Sequence, residues 1–491
     1  MPRRSTSSHS SWGPRSLTAL VTHTLLLFSA LTPAFGANTR NDRVTKCRVK
    51  RKEGQGILVA PTQTTSTSSA AVIDNVAPAP TSTQDVNGTV NQDAVGSPPP
   101  LPPFDYQNRK VRGVNLGGWF LMEPWITPSM FEKTGNEAIV DEYTFGLYQD
   151  RGVATAALEQ HWSTFYTEQD FIDIASVGLN HVRLPISYWS VPAAQNTWPY
   201  IPGAWPHILR ALDWATAHGL YVILDLHGAP GSQNGFDNSG QRTSNPVWAF
   251  DQAHVDQTLL VIETMAREVA HKVSVIQLLN ELAGFRGQQW SDQARNFWQA
   301  GYDRVRAVAG NNVKVMIGDA FLGINSWDGY MKSSQNVMMD LHVYQIFSNG
   351  ELSRSWDEHV NFMCNRIDEF TGYASRNLWL VMGEWSNAQT DCCRYLNGRG
   401  IGARWDGTYA GDAPLGSCQG MTGSYTTFSE PYKASMRKYW EAQVTVAERV
   451  NGWVYWTWKA EDADDWSYQK GVEAGYIPRN PDERLYPNVC G

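Results

Sequence analysis

The sequence lacks the features that mark several large classes of protein. It has 40 lysine and arginine residues against 48 aspartate and glutamate residues, a net charge of −8, so no positive excess is present to bind nucleic acid. Its six cysteines show no Cys-x-x-Cys spacing, which argues against a structural zinc site. No glycine-rich phosphate loop follows the first predicted strand, residues 111–116, and no apolar stretch ends the chain. We therefore expect no nucleic-acid partner, no metal and no glycosylphosphatidylinositol anchor.

Residues 1–37 have the composition of a secretory signal peptide. Three arginines precede a moderately apolar stretch, residues 17–31, and the small-residue sequence Ala34-Phe35-Gly36 follows it. The stretch is short for a membrane span and contains polar residues, so cleavage is favoured over anchoring. We expect secretion to the extracellular space or the cell wall, oxidised cysteines and no membrane span after signal removal.

Residues 38–103 are rich in serine, threonine, alanine and proline. They predict a disordered linker or pro-region, because such a segment buries too little apolar surface to order itself. Asn87 lies in an N-glycosylation acceptor sequence, and the basic cluster around Lys50 is either a processing site or a solvated run of charge. The folded catalytic domain is expected to extend from residue 104 to residue 491.

Eight short apolar runs alternate with helical patterns in this domain. Several runs are nearly continuous in branched or bulky apolar residues, which is typical of strands buried on both faces of a parallel sheet. Amphipathic patterns predict helices over residues 167–177, 208–217, 251–271 and 290–308. The alternation favours an α/β fold, a (β/α)8 TIM barrel, over a doubly wound open sheet. The predicted strands cover residues 111–116, 181–185, 220–227, 273–279, 313–319, 337–342, 378–382 and 452–458.

Two glutamates follow apolar runs at points where predicted strands end. Asn280-Glu281 comes after residues 273–279, and Gly383-Glu384 comes after residues 378–382. Because the carboxyl ends of barrel strands line the active face, a barrel would bring these two side chains together as an acid and a nucleophile. An unpaired glutamate after a buried strand is hard to justify structurally. Other polar or aromatic residues also end predicted strands: Asn115, Arg183, His227, Asn280, His342, Tyr344 and Trp456.

Tryptophan is abundant, with 21 copies. Aromatic rings stack on the apolar faces of sugars, so this composition is compatible with carbohydrate binding, although a tryptophan taken singly is more often a core residue. The same holds for an isolated histidine, phenylalanine or arginine, which more often has a structural role than a catalytic one. The assignment of these residues therefore depends on the pattern they form together.

An ordered set of motifs runs through the domain. The longest, from Asp225 to Asp237, reads DLHGAPGSQNGFD. The others are GVNLGGW at 113–119, EPWITP at 123–128, HVRLP at 181–185, NE at 280–281, HVY at 342–344, GEW at 383–385 and WTWK at 456–459. From Phe104 to its end the chain thereby resembles the secreted fungal exo-β-1,3-glucanases of glycoside hydrolase family 5. It departs from that pattern at Leu282, where we expect a proline after Glu281, and the shape of the following loop stays open.

The resemblance implies a role for each candidate site residue. Glu281 is the general acid and base, and Glu384 is the nucleophile. Arg183 favours the ionised form of Glu384, and Tyr344 donates a hydrogen bond to the same carboxylate. The other implied substrate-binding residues are Glu123 at the closed end of the pocket, His227 and His342 beside the carboxylates, Asn280 on the sugar 2-hydroxyl, Trp456 beneath the sugar, and Phe236 and Phe347 as walls for the leaving-group sugar.

The implied function is that of a retaining glycoside hydrolase that cleaves β-1,3-glucan and releases glucose from the non-reducing end. Glucosyl transfer results when a sugar intercepts the intermediate in place of water. Such an enzyme needs no metal or organic cofactor, and we expect a monomer whose partner is the glucan. The alternatives are an endo-acting or β-1,6-specific glucanase on the same scaffold, or a non-catalytic wall carbohydrate-binding protein. The last would lack the acid or the nucleophile, and this chain has both.

The spacing of six cysteines does not determine how they pair. The resemblance implies one disulfide between Cys364 and Cys490 and a second between Cys392 and Cys418. Cys393 is then an additional residue, either free or competing with its neighbour. Cys47 lies in the predicted linker and has no obvious partner within the chain.

Overall fold

The computed structural model describes residues 98–411 and 413–491. The predicted signal peptide, most of the predicted linker, Asn87 and Cys47 lie outside the described residues. The last residues of the predicted linker run beside the barrel, where the Tyr221 hydroxyl donates a hydrogen bond to the Pro102 carbonyl (2.9 Å). The domain boundary at residue 104 stays a prediction.

Eight parallel strands close into a barrel in chain order. They are β1 (Val111–Asn115), β2 (His181–Ser187), β3 (Tyr221–Gly228), β4 (Val275–Gln277), β5 (Lys314–Gly318), β6 (Val337–His342), β7 (Trp379–Glu384) and β8 (Gly452–Tyr455). Because β1 pairs with both β2 and β8, the sheet has no edge, and the predicted TIM barrel is confirmed over the open sheet. All eight predicted runs form strands, with small differences at their ends.

Helices surround the barrel, and the four predicted from the sequence correspond to α4, α5, α6 and α7. The helices of the described residues are α1 (Pro128–Glu132), α2 (Glu142–Tyr148), α3 (Arg151–Thr164), α4 (Glu168–Ser176), α5 (Trp205–Ala217), α6 (Gln252–Val269), α7 (Gln288–Ala309), α8 (Asn349–Leu352), α9 (Trp356–Cys364), α10 (Ile367–Arg376), α11 (Glu430–Ala447) and α12 (Tyr468–Ala474). None of them combines the length and the apolar character that crossing a bilayer requires.

Apolar side chains close one end of the barrel. Phe104 and Tyr106, which precede β1, are buried there, and the Tyr106 hydroxyl lies 3.0 Å from Nε2 of His181 at the start of β2. They form one cluster with residues from seven strands, namely Val111, Ile223, Val275, Met316, Met338, Val381 and Val454. The polar residues that follow the strands face the opposite, carboxyl end, where a TIM barrel carries its active site.

Two disulfides are present, and they are the two that the resemblance implies. Cys364 at the end of α9 bonds to Cys490, and Cys392 bonds to Cys418 across the loop that follows β7. Among the described cysteines Cys393 is free, and its thiol is buried. The first disulfide joins the end of the chain to a helix of the barrel wall.

We expect the Cys364–Cys490 bond to stabilise the fold strongly, because it closes a loop with a sequence separation of 126 residues. Replacing both cysteines by serine should lower the free energy of unfolding by roughly 3–5 kcal/mol in the chain-entropy model. Denaturant unfolding under oxidising conditions measures this loss, with Cys393→Ser as the matched control. A double variant as stable as the control would contradict the expectation.

Candidate active site

The candidate residues meet at the carboxyl end of the barrel. His342 and Glu384 are the last residues of β6 and β7, and His227 is the next-to-last residue of β3. Glu281 differs from the prediction, because β4 ends four residues earlier, at Gln277. The chain between Gln277 and Glu281 is therefore a loop and not the continuation of β4.

This loop holds Glu281 in an uncommon backbone conformation. Glu281 has φ +45°, in the left-handed region that costs free energy for a residue with a side chain. Gln233 fixes the loop from the other side: its Nε2 donates to the carbonyl oxygens of His227 (2.7 Å) and Asn280 (3.1 Å). The N–H of Ala283 in turn donates to the Gln233 carbonyl (3.1 Å). These contacts direct the Glu281 carboxylate into the site.

The two glutamates lie close together, with His342 between them. One carboxylate oxygen of Glu281, one of Glu384 and a ring nitrogen of His342 lie within 4.8 Å of one another. Nδ1 of His342 is 2.9 Å from Oε1 of Glu281 and 3.4 Å from Oε2 of Glu384. Both carboxylates are nearly enclosed, with 11% of the Glu281 side chain and 5% of the Glu384 side chain exposed.

Glu384 receives two hydrogen bonds, as the sequence predicts. Nη1 of Arg183 donates to its Oε1 (2.8 Å), and the Tyr344 hydroxyl donates to its Oε2 (3.0 Å). Arg183 is fully buried and also pairs with Asp225 (3.1 Å) and donates to Asn280 (2.7 Å). Burial alone would lower the pKa of Arg183, but the charges of Asp225 and Glu384 raise it, so the guanidinium stays charged.

Glu281 has a hydrogen-bond donor that the sequence analysis missed. Nδ2 of Asn238 donates to Oε2 of Glu281 (2.7 Å), and Oδ1 of Asn238 accepts from Nδ2 of Asn234 (3.1 Å). Asn238 directly follows the motif that ends at Asp237, so the extended motif was the available signal. The two oxygens of Glu281 are thus occupied by Asn238 and His342.

His342 determines how the cluster is protonated. Burial would lower the pKa of His342, but the charges of Glu384 and Asp340 and hydrogen bonds to Asp340 and Glu281 raise it well above its usual value. This shift favours the imidazolium form of the ring. Its Nε2–H faces Oδ2 of Asp340 (3.0 Å), a buried residue that the sequence analysis also missed, and its Nδ1–H faces Glu281 (2.9 Å).

The pKa values of the two glutamates shift in opposite directions. Burial raises the pKa of Glu281, but the hydrogen bond and charge of His342 outweigh it, so the net shift is downward. Burial also raises the pKa of Glu384, and the charges of His342 and Arg183 do not fully offset it, so the net shift is upward. This order is the reverse of what an acid at Glu281 and a nucleophile at Glu384 require.

Transfer of one proton from His342 to Glu281 gives the protonation states that these roles require, a protonated Glu281 and an ionised Glu384. The Nδ1 proton of His342 lies in a 2.9 Å hydrogen bond to Glu281, so its transfer gives a neutral imidazole and a protonated Glu281 without changing the charge of the cluster. Glu384 keeps the permanent charge of Arg183 at 2.8 Å wherever that proton resides, so it is the carboxylate better placed to stay ionised. The His342–Glu281 pair can therefore supply the proton for general acid catalysis.

Asp340 should control the pH at which this proton is lost. Its carboxylate stabilises the imidazolium, so Asp340→Asn should lower the pKa of His342 and move the alkaline limb of kcat/KM to lower pH by about 1–2 units. Asp391→Asn is the matched control, because this buried carboxylate pairs with Arg404 (3.3 Å), outside the candidate site. A pH–rate profile of both variants measures the effect. An alkaline limb that Asp340→Asn leaves in place would contradict this assignment.

A second group of carboxyl groups lies beside the reacting pair. Oε2 of Glu123 accepts from the indole N–H of Trp125 (3.0 Å). Burial, followed by the negative charge of Asp237, raises the pKa of Glu123 well above its usual value, and the charges of both site glutamates contribute. Burial raises the pKa of Asp237 to about 7, and its Oδ2 is buried without a hydrogen-bond partner among the described residues. These groups are suited to accept hydrogen bonds from hydroxyl groups of a ligand.

The aromatic residues divide into two sets. Trp456 is almost fully buried and stacks on His227 with ring centroids 5.5 Å apart. Phe347 contacts Tyr344 edge to face (5.6 Å), beside the nucleophile candidate. Phe236 contacts two aromatic residues that the sequence analysis did not identify, Phe285 and Phe321. The implied role of Phe236 and Phe347 as walls for the leaving-group sugar stays a prediction.

Within the described residues, the group of side chains that could hold a metal ion is Glu281, His342 and Glu384. Both ring nitrogens of His342 already face carboxylate oxygens, Nδ1 that of Glu281 (2.9 Å) and Nε2 that of Asp340 (3.0 Å). The donor set therefore fits a proton-sharing network better than a metal centre.

Comparison with known proteins agrees with this geometry. Residues 141–399 match the cellulase family, glycosyl hydrolase family 5. The chain belongs to this family. It is 44% identical over 398 residues to the glucan 1,3-beta-glucosidase of Blumeria graminis, covering 79% of this chain and 91% of that protein. It is 42% identical over 390 residues to the probable glucan 1,3-beta-glucosidase A of Aspergillus niger, covering 79% and 92% respectively. The predicted family and the prediction of a glycoside hydrolase are both confirmed.

Among solved structures, the rutinosidase of Aspergillus niger has a similar fold. It superimposes with a TM-score of 0.61 at 18% sequence identity, covering 76% of this chain and 99% of that one. At this identity the likeness concerns the barrel fold and not the substrate.

Proposed function

We propose that this chain is a retaining hydrolase of β-1,3-glucan that releases glucose from the non-reducing end. The observation that carries the proposal is the carboxyl pair, Glu281 and Glu384, with oxygens within 4.8 Å. Retaining glycosidases hold their two carboxyl groups about 5–5.5 Å apart, whereas inverting enzymes need about 6.5–9.5 Å to admit a water molecule. The names of the relatives from Blumeria graminis and Aspergillus niger support the choice of β-1,3-glucan.

In the first step the Glu384 carboxylate attacks the anomeric carbon of the sugar. The bond from that carbon to the leaving oxygen breaks, and Glu281 gives its proton to that oxygen. The hydrogen bonds from Arg183 and Tyr344 orient the attacking carboxylate. Asn280, held by Arg183, is available to bind the sugar 2-hydroxyl, an interaction that strengthens in the transition state.

In the second step a water molecule replaces the departed sugar. The Glu281 carboxylate accepts a proton from this water, the water oxygen bonds to the anomeric carbon, and the ester bond to Glu384 breaks. While Glu384 is an ester it carries no negative charge, so Glu281 no longer faces a neighbouring carboxylate and is ionised more easily. A sugar hydroxyl that takes the place of water gives glucosyl transfer.

The carboxyl groups of Glu123 and Asp237 support action at a chain end. The charges of Asp237 and of both site glutamates act on Glu123, and the indole N–H of Trp125 orients the Glu123 carboxyl group (3.0 Å). Carboxyl groups in this position can accept hydrogen bonds from the hydroxyls of a terminal sugar. An endo-acting enzyme would instead leave this side of the site open for a continuing chain.

The two disulfides support secretion, because disulfides persist in oxidising compartments. We propose that residues 1–37 are a signal peptide, that residues 38–103 are a linker or pro-region and that the domain from residue 104 acts as an extracellular or cell-wall monomer. Sedimentation of the secreted protein tests the monomeric state.

A time course of laminarin digestion tests the proposed function. We expect glucose as the first product, released as the β-anomer in proton NMR spectra recorded before mutarotation. A ladder of oligosaccharides appearing first would favour the endo-acting alternative, and faster cleavage of a β-1,6-glucan would favour the β-1,6-specific one. Binding of laminarin without cleavage would favour the carbohydrate-binding alternative.

A further inference from the structure

A groove of about 740 Å3 runs along the outside of the barrel between the first turn of α9 and the first half of α11. Its lining includes Trp356, Trp405, Met421, Lys438 and Tyr486. None of the residues that line it belongs to the candidate active site. The groove is therefore a second concave surface on the domain.

Two tryptophans present aromatic surface to this groove. Trp356 is the first residue of α9, and 38% of its surface is exposed. Trp405 is half-buried and held from both ends: its N–H donates to Asp391 (3.0 Å) and its indole N–H donates to the Ser417 carbonyl (3.2 Å). The Cys392–Cys418 disulfide closes the loop that carries Trp405. Rings held in this way bind a ligand at little cost in conformational entropy.

The polar side chains of the groove suit an uncharged ligand rich in hydroxyl groups. Nζ of Lys438 pairs with Oδ1 of Asp357 (2.8 Å), and Arg354 donates to Oε1 of Gln345 (3.1 Å). These charged groups are engaged with protein partners, so the surface offers no strong field of either sign. Aromatic rings beside such polar groups are the pattern that binds the apolar face and the hydroxyl edge of a sugar.

The groove and the active site border the same apolar cluster. Trp405 packs against the same apolar cluster that contains Trp456, and Phe347 contacts this cluster as well. The short helix α8 links Phe347 to the segment that carries Trp356. A polymer long enough to reach from the groove to the rim of the site could therefore contact both.

We propose that this groove binds a segment of the glucan polysaccharide outside the active site and keeps the enzyme on its polymeric substrate. The proposal rests on the proposed function, because it takes β-1,3-glucan as the ligand. It predicts a contribution that depends on chain length: a polysaccharide reaches both the groove and the site, whereas a trisaccharide bound at the site does not fill both.

Two measurements on the full chain test this proposal. In the inactive background Glu384→Gln, depletion from solution by insoluble β-1,3-glucan gives the affinity for the polymer. In the active protein, the ratio of kcat/KM on laminarin to kcat/KM on laminaritriose gives the advantage of the polymer. We expect Trp356→Ala to reduce both by about fivefold to tenfold, the loss typical of removing an aromatic anchor.

Two further variants make the result specific. Trp198→Ala removes a tryptophan that is 68% exposed and lies outside the groove, and it should leave both quantities unchanged. Trp356→Tyr keeps an aromatic ring and should retain most of the binding. Equal effects of Trp356→Ala and Trp198→Ala would overturn the proposal. So would a change of oligomeric state in Trp356→Ala without loss of glucan binding, which would assign the groove to a second copy of the chain.

A failure of the proposed function can be distinguished from a failure of the groove proposal. Cleavage of laminaritriose by the unmodified protein tests that function, and it does not depend on the groove. Cleavage with an unchanged polymer ratio in Trp356→Ala would contradict the groove alone. Absence of cleavage in the unmodified protein would contradict the proposed function, on which the groove proposal rests.

Discussion

Replacing Glu384 by glutamine should abolish the hydrolysis of laminarin and of an activated aryl β-glucoside alike, by about 10⁴-fold or more. Glutamine has nearly the shape of glutamate but no negative charge to attack the anomeric carbon, and a better leaving group does not supply a nucleophile. Initial rates on both substrates measure the effect.

Glu448→Gln is the matched control for this experiment. Glu448 is a half-buried glutamate that pairs with Arg112 of β1 (2.7 Å), at the opposite end of the barrel from the site. Its substitution should leave both rates near those of the unmodified protein. Retention of substantial aryl glucoside hydrolysis by a folded Glu384→Gln variant would refute the nucleophile assignment.

Replacing Glu281 by glutamine should instead give a loss that depends on the leaving group. A glucan oxygen must be protonated as it departs, so laminarin hydrolysis should fall by about 10²–10⁴-fold. A dinitrophenolate departs without a proton, so the burst of dinitrophenol from the first step should persist. Stopped-flow absorbance on dinitrophenyl β-glucoside, compared with laminarin turnover, separates the two cases.

Azide distinguishes the two glutamates further. Removal of the Glu281 side chain in Glu281→Ala leaves room for azide to attack the glycosyl-enzyme from the face that water uses, giving a β-glucosyl azide. Formation of a β-azide by Glu384→Ala instead would reverse the two roles. Equal losses on laminarin and on the aryl glucoside in Glu281→Gln would also contradict the general-acid assignment.

The sequence predicted the barrel well because its signals are local. Several strands are nearly continuous apolar runs, as expected for parallel strands buried on both faces, and polar residues follow these runs at the active face of the barrel. His342 and Glu384 end their strands as predicted. Glu281 does not, because β4 stops at Gln277 and the chain then turns through a left-handed residue, which the apolar run could not reveal.

The hydrogen-bond network of the site could not be predicted from the sequence, because it depends on contacts made when the barrel closes. Asn238 donates a hydrogen bond to Glu281, from which it is 43 positions away in the chain. Asp340 belongs to the network because Nε2 of His342 faces its carboxylate. A similar limit applies to Phe236, whose neighbours Phe285 and Phe321 come from different loops. Phe285 lies in the loop where Leu282 stands in place of the expected proline.

The network has a consequence for the order of events in catalysis. The charges of Glu384 and Asp340 raise the pKa of His342, and His342 lowers the pKa of Glu281, which favours the proton on His342 before substrate binds. In the proposed mechanism Glu281 becomes an acid when the proton crosses the 2.9 Å hydrogen bond from Nδ1 of His342, and binding of a sugar whose leaving oxygen needs a proton can draw it across. We therefore propose that the Glu281 carboxyl group and the His342 imidazole act together as the acid, with Asp340 bonded to the second ring nitrogen of His342.

Trapping of the covalent intermediate tests the central claim most directly. A 2-deoxy-2-fluoro-β-glucosyl fluoride forms the glycosyl-enzyme quickly and releases it slowly, because the electronegative fluorine slows both steps while the good leaving group restores the first. Mass spectrometry of a protease digest then locates the sugar. The retaining mechanism predicts one fluoroglucosyl group on the peptide that contains Glu384, and its slow loss with return of activity. A label on the Glu281 peptide, or inactivation without any labelled peptide, would contradict it.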